Sequence, residues 1–405
     1  MNQKLLTGQA IILAAGESSR FWPLNYQNKA LFKIMGKPLI WHTIEGLRKA
    51  GIKEFIIVQG PQKDIEKELS SFFKEDIKYV VQQEHGGMGD AVLIARELIK
   101  GPFLVVHGHK VDAGDYLKPM INKVAQSGAG LVLLGTKTGQ PQLYGILAME
   151  GDEVKDLIEK PNQDVPGVRV IGMYLLPVNF FDYLGRVSEG HYSFESALNV
   201  YFKEKDARVE MIDSDFSSLK HPWQVFSLAK YLLDKNLGDQ KVHVGKNTKI
   251  FEGAVIKGPC YIGDNCVIGN NALVREYTDL EDGAVVGAQA EVARCVFQDD
   301  AHVHSGFFGD SVLGKNCRVG AGTVTGNIRL DRGEIKETGL NSLGVIVGNN
   351  THIGINVSLM PGVLIGSNCV VGPGTVVFEN IEDNTTFYTK FEKVLEKRNG
   401  IDKKD

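Results

Sequence analysis

The stretch VGKNTKIFEGAVIKGPCYIGDNCVIG, residues 244–269, sets the architecture, because an aliphatic side chain returns at every sixth position. The rungs are Val244, Ile250, Ile256, Ile262, Ile268, Val274, Leu280, Val286 and Val292. Four residues after each rung comes a mostly small side chain: Thr248, Ala254, Cys260, Cys266, Ala272, Thr278, Ala284, Ala290, then the larger Val296. Side chains recur near every 3.6 residues on a helix and every 2 on a strand, so neither accounts for this spacing. A six-residue repeat marks a parallel β-helix, in which each repeat builds one short side and cannot bury its apolar face alone. Three repeats per triangular coil stack Val244, Ile262 and Leu280 about 4.8 Å apart. The register is lost near Gln298, reappears at Leu313 and Val319, and resumes through Val347, Ile353, Leu359, Ile365, Val371 and Val377. Residues 298–345 are therefore expected to interrupt the solenoid, and such insertions form loops on a binding face.

Four of the five cysteines, Cys260, Cys266, Cys317 and Cys369, fall on the small position and read as corner-filling core residues. Cys295 lies off it. The 405 residues suffice for two or three domains, and 43% apolar with 23% charged residues describes an ordinary globular chain. A net charge of −4 gives no basic footprint for nucleic acid. No apolar run reaches the length of a membrane span, and Ala10 to Ala15 is too short for a signal peptide. A cytoplasmic protein is expected.

Upstream of the ladder the pattern alternates. Residues 9–15 form a buried strand that delivers the loop Gly16-Glu17-Ser18-Ser19-Arg20, and Gly36-Lys37-Pro38 opens an amphipathic helix closed by Gly51. A strand (54–58), a helix (about 62–73), a strand (77–81), a helix (89–99) and a strand (102–107) follow. This order predicts a Rossmann-like α/β domain over residues 1–237, with a mostly parallel sheet and helices on both faces. The polar hinge Gly238-Asp239-Gln240 then leads into a left-handed parallel β-helix with a C-terminal tail, residues 238–405, packed on the first domain. Sheets of this kind bind ligands at the carboxyl ends of their strands, here the loops 16–29, 82–90 and 107–115. The first loop lacks both the dinucleotide glycine pattern and the Walker ending.

The segments Leu13 to Arg20, Lys29, Gly36-Lys37-Pro38, Gln82 to Gly87, Tyr144-Gly145, Glu159-Lys160-Pro161 and Ile171 to Tyr174, in that order, resemble the signature of sugar-1-phosphate nucleotidylyltransferases. The resemblance covers essentially the whole chain. It implies that the loop at Gly16 wraps nucleotide phosphates, that Arg20 and Lys29 neutralise charge while a sugar 1-phosphate attacks the α-phosphate of a nucleoside triphosphate, and that Gln82 to Gly87 contact the base. Gly145, Glu159 and Lys160 complete the nucleotide and sugar contacts. Phosphoryl chemistry depends on positioning and charge stabilisation, which these residue types supply.

Departures from that pattern are concentrated at the metal. The family's magnesium carboxylate position after the strand Phe103 to His107 holds His109, and the segment before Pro222-Trp223 offers Ser218 where an acidic or amide ligand is expected. Imidazole and hydroxyl are poor magnesium ligands. Three explanations stay open: Asp112 or Asp115 supplies the carboxylate; Lys220 and His109 replace the ion with fixed cations; or the domain is a non-catalytic, regulatory sugar-nucleotide-binding protein. The pair His107 and His109 reads as structural more than as a transition-metal site. Ser18 in place of a glycine is expected to narrow the pocket, and Met88 stands for a threonine.

Residues 302–327 resemble the acetyltransferase half of bifunctional glucosamine-1-phosphate acetyltransferase/nucleotidylyltransferases, most closely the archaeal type. That likeness implies a homotrimeric β-helix with acetyl-CoA as co-substrate between coils. His304 then matches the general base, Asn327 a substrate-orienting amide, Lys336 a basic loop residue and Ala321 a backbone contact to the thioester. An amine must lose a proton to attack a thioester, and histidine titrates in the useful range. Phe307 takes a tyrosine position, Gly333 a lysine position, and Arg294 stands near an expected lysine.

Overall fold

The computed structural model describes residues 8–73, 77–84, 86–162, 166–213, 218–237, 241–392 and 395. The expected hinge Gly238-Asp239-Gln240 and most of the C-terminal tail lie outside them. The first half runs β1 (Gln9–Ala14), β2 (Lys33–Ile34), β3 (Lys37–Pro38), α1 (Leu39–Ala50), β4 (Glu54–Gln59), α2 (Asp64–Leu69), β5 (Ile77–Val81), α3 (Gly87–Leu93) and β6 (Phe103–His107). Next come α4 (Ala113–Ser127), β7 (Leu131–Thr138), β8 (Gly145–Glu150), β9 (Glu153–Glu159), β10 (Gly167–Leu176), α5 (Phe180–Leu184), α6 (Ser193–Glu204), β11 (Ala207–Met211) and α7 (Val225–Leu237).

The nine-stranded sheet has the order β5-β4-β1-β6-β10-β7-β11-β9-β8. β1, β4, β5 and β6 are parallel, whereas β10 runs antiparallel between β6 and β7. The continuous apolar run of β1 follows from its central place, where both faces are covered. Ile12 packs with Ile40, Leu47 and Leu117 under α1 and α4, and its neighbour Ile11 packs with Val92, Phe180 and Phe194 under α3, α5 and α6. Helix α1 ends at Gly51, whose left-handed backbone (φ 112°) lets its N–H reach the carbonyls of Leu47 and Arg48. The helix expected over 89–99 is shorter than its sequence pattern: α3 stops at Leu93, and a separate 3-10 turn spans Arg96–Leu98.

The second half is a three-sided parallel β-helix. Val244 pairs with Ile262 and Ile262 with Leu280, eighteen residues per coil. Beyond Leu280 the expectation of a break needs correction. Leu280 pairs with Phe297, Val292 with Phe308, Phe297 with Leu313 and Val303 with Val319, so the coils continue through Thr325. Three sides have lost one residue each: Val292 to Phe297, Val303 to Phe308, and Phe308 to Leu313. The inward phenylalanines Phe297 and Phe308, packed edge to face, fill the core of these coils. Cys295 is accordingly a buried corner residue like the other four cysteines, displaced from the six-residue count only by the shortening. The excursion itself spans only residues 327–344, after which Val345–Val347 rejoins the coil beside Val312 and Leu313.

Many left-handed corners carry asparagine or aspartate: Asn247, Asn265, Asp300, Asn316, Asn350, Asn368 and Asn384 have φ near 57°, as do Tyr277 and Gln289. Asn316, Asn350 and Asn368 each also donate a side-chain hydrogen bond to the asparagine one coil on, the last to Asn384, at 3.1–3.3 Å. The two halves share one apolar core, in which Leu24, Phe32, Ile34 and Leu228 meet Val296, Val312, Leu343 and Ile346.

Candidate active site

A cavity of about 560 Å³ opens at the carboxyl ends of β1 and β6. Of the residues expected from sequence, Gly16, Arg20, Lys29, Gln82, Gly87 and His109 line it; Gly145, Glu159 and Lys160 do not. Glu159 and Lys160 are exposed, Glu159 being paired with Gly145 across β8 and β9, and Lys160 donates its backbone N–H to Tyr144.

The loop bearing the cations is pinned by its own polar residues. Asn28 donates to the carbonyl of Ala14 at 2.7 Å and accepts from the N–H of Ala30, capping the turn Lys29–Leu31. Ser18 accepts from the backbone N–H of Lys29 at 3.0 Å and is not among the lining residues, so it fastens the loop instead of narrowing the pocket. Lys29 donates to the carbonyl of Leu219 at 2.6 Å, which ties the loop to the segment carrying Lys220. Gln82 donates to Asp90 at 2.7 Å and to the carbonyl of Gly87 at 3.1 Å. Gly172 interrupts β10 at a bulge, where a Cβ would stand 2.3 Å from His107.

The field inside is positive. Five cationic side chains, Arg20, Lys29, Lys110, Arg169 and Lys220, face it with one carboxylate, Glu17. Desolvation first, then Arg20 and Lys220, lowers the Lys29 ammonium to about 8. Lys220 is lowered by desolvation and by Arg20, Arg169 and Lys160. Arg169 and Lys220 each lie 4.3 Å from the centre of the Tyr144 ring. Arg169 escaped the sequence reading because nothing in β10 distinguishes it from any solvated strand residue.

Neither carboxylate expected as a magnesium ligand lines the cavity. Asp112 is fully buried at the N-cap of α4, paired with Lys110 at 3.1 Å, and does not line the cavity. Asp115 accepts from Lys235 at 2.6 Å and from Tyr231. His109 is a lining residue, and desolvation, with Lys29, His107 and Lys110 adding to it, holds its pKa well below the usual value, which disfavours a fixed cation there. No group of three histidine, cysteine or acidic side chains fit to hold an ion occurs among the described residues. Glu17 is the one carboxylate among the described lining residues, a sparse donor set for magnesium.

On the β-helix, His304 is exposed at the turn between His302–Val303 and Gly306–Gly309. Asn327 donates to Asp310 at 2.6 Å; Asp310 also holds Arg294, at 2.6 and 3.0 Å, and accepts from Ser342. Arg294 is thus committed to Asp310. The Phe307 ring and the Asn327 amide approach Gly309 together, 2.9 and 2.7 Å from where its Cβ would lie. Lys336, in the excursion, reaches Asn380 at 3.4 Å, and Ala321 accepts from the N–H of Asn356.

No helix among the described residues is long and apolar enough to cross a membrane. The nucleotidyl transferase family profile matches residues 9–234, and the six-repeat bacterial transferase hexapeptide profile matches residues 241–276 and 344–379, either side of the shortened coils and the excursion. The chain is 30% identical to the bifunctional protein GlmU of Methanocaldococcus jannaschii over 96% of this chain and 99% of that one. It is 31% identical to a bifunctional sugar-1-phosphate nucleotidylyltransferase/acetyltransferase of Sulfurisphaera tokodaii, over 92% and 98%. A solved UDP-glucose pyrophosphorylase complexed with UDP-glucose aligns with a TM-score of 0.44 at 24% identity, over 51% of this chain and 91% of that one. With an α/β half that carries the cationic cavity and a left-handed β-helix of hexapeptide repeats behind it, the chain belongs to the nucleotidyl transferase family, among its two-part, GlmU-like members.

Proposed function

We propose that this chain is a sugar-1-phosphate nucleotidylyltransferase, converting a nucleoside triphosphate and a sugar 1-phosphate into an NDP-sugar and pyrophosphate. The observation that carries the reading is the convergence of Arg20, Lys29 and Lys220 on one cavity with no ion-pair partner among the described residues. An oxygen of the sugar phosphate bonds to the α-phosphorus while the bond to the bridging oxygen breaks, and its electrons leave on pyrophosphate. A phosphate monoester loses its second proton near pH 6, so the nucleophile is already an anion and needs no base. The obstacle is repulsion between anions, which preorganised cations in a cavity relieve. Arg20 offers a planar fork to phosphate oxygens and Lys29 a point charge. Gln82 and Gly87 are assigned to the base, and Gly145, Glu159 and Lys160 to the sugar. No protein carboxylate is assigned to magnesium. The test is pyrophosphate release over a panel of triphosphates and sugar 1-phosphates. Lys29→Ala is expected to lower it about a hundredfold or more; silence across the panel, with thermal stabilisation by sugar nucleotides, would favour the non-catalytic binding protein.

A second activity, acetyl transfer from acetyl-CoA to an amino sugar phosphate, is supported by the Asn327 amide, oriented by Asp310 beside the excursion, and by the exposed His304. His304→Ala should abolish CoA release. We place both reactions in a cytoplasmic homo-oligomer formed through the β-helix, where Val255, Val324 and Val376 stand exposed on one sheet. Sedimentation should show a trimer; a monomer would contradict this assembly.

A further inference from the structure

We propose that Lys220, with Arg169 across the Tyr144 ring, is a fixed cationic seat for a pyrophosphate group, which the cavity therefore binds without a divalent ion. The proposal deepens the nucleotidylyltransferase reading and rests on it for the meaning of the site, but the seat is tested by binding alone.

Four placements carry it. Lys220 lines the cavity and enters no ion pair with a described carboxylate, although Glu159 is near enough to influence it. Its neighbours are cations: Arg20 from the first loop, Arg169 from β10 and Lys160 from the end of β9, while the Leu219 carbonyl next to it receives Lys29. Gathering that much like charge is unfavourable unless an anion of several charges fills the space. Tyr144 lies against both Arg169 and Lys220, so the two cations are presented by a ring whose face favours positive charge. Finally, the carboxylate best placed in sequence to hold an ion, Asp112, faces Lys110 inside the protein. A seat built for a bare diphosphate needs unneutralised cations; a seat for a metal diphosphate needs free carboxylates. The described lining, five cations against the single carboxylate Glu17, is weighted toward the first kind.

Inorganic pyrophosphate is the probe, titrated into the full chain by calorimetry in the presence of chelator. Binding is expected, and Lys220→Gln should weaken it about tenfold or more, the loss of one charge-assisted contact. Lys220→Arg should restore most of the affinity. Arg169→Gln should weaken it as well, and thermal unfolding of Lys220→Gln, held close to the parent, separates lost charge from lost fold. Magnesium titrated alone should give no binding isotherm. The seat is wrong if the parent takes up pyrophosphate only once magnesium is added, or if Lys220→Gln binds as the parent does in chelator. Pyrophosphate bound in chelator by a chain that forms no sugar nucleotide would uphold the seat and remove the transferase reading.

Discussion

Lys29 shows how one side chain's surroundings set a measurable pH dependence. Its ammonium is depressed because burial strips it of water and because Arg20 and Lys220 stand near it. An anion entering the cavity favours the charged form, so affinity for inorganic pyrophosphate should be level between about pH 7 and 8, above the phosphate ionisation near pH 6. It should then fall by up to tenfold per pH unit above about 8, as the free enzyme loses that proton. Lys29→Met should bind weakly with a flat profile over pH 7–9, and a parent profile without a break near 8 would refute the assignment. Much of this site was legible in the chain: Arg20, Lys29, Gln82 and His109 were expected and all face one cavity. Arg169 was not, since its role comes from lying against Tyr144, a contact between separate strands. The metal alternatives could not be ordered from sequence, because the partners of Asp112 and Asp115 are set by tertiary packing.

At the level of elements, the tight turn between β2 and β3 meets the β-helix through its backbone. Met35 donates its N–H to Asp279 at 3.1 Å and Gly36 donates to Glu281 at 3.1 Å, both carboxyl groups being fully buried. Asp299 is close by, paired with Lys33 at 2.9 Å and Lys315 at 3.4 Å, and the Tyr261 hydroxyl closes over Gly36. Burial pushes Asp279 up to about 7, and burial with the Asp279 charge pushes Glu281 well above the carboxylate range. Acids raised on folding stabilise the native state below their unfolded pKa, and that contribution is lost as pH rises through the folded values. The unfolding midpoint should therefore fall between about pH 4 and 7 from this pair, and Glu281→Gln, neutral at every pH, should flatten the fall. An unchanged slope in the variant would show that the pair does not couple to folding. The pattern Thr278-Asp279-Leu280-Glu281 hides all this, because the outward positions of a coil normally read as solvated. The ladder itself was legible over its regular rungs and misread where three sides drop a residue, since a fixed count of six has no means of following a shortened corner.

In the whole molecule the two halves are joined by a continuous apolar layer as well as by those carboxylates. Phe32, Ile34 and Leu228 from the first half and Val312, Leu343 and Ile346 from the second are all buried. A protein cut to residues 1–237 should then expose that layer, melt at a lower temperature than the full chain and self-associate in light scattering. Equal melting temperatures for the two would mean that the layer adds little. The α/β alternation of the first half and the six-residue period of the second were visible in the sequence. That the shortened coils and the 327–344 excursion supply part of the seam, through Val312 and Leu343, was not, because a seam is a property of two surfaces and each stretch carries only its own.

The buried acids that hold the β2–β3 turn also bear on transplantation. A β-helix taken from a relative and grafted behind this α/β half would arrive with its own outward residues under Met35 and Gly36, leaving two backbone N–H groups enclosed without acceptors. Chimeras across this family should succeed or fail by whether Asp279 and Glu281 travel with the turn they receive, whatever the overall similarity of the donors.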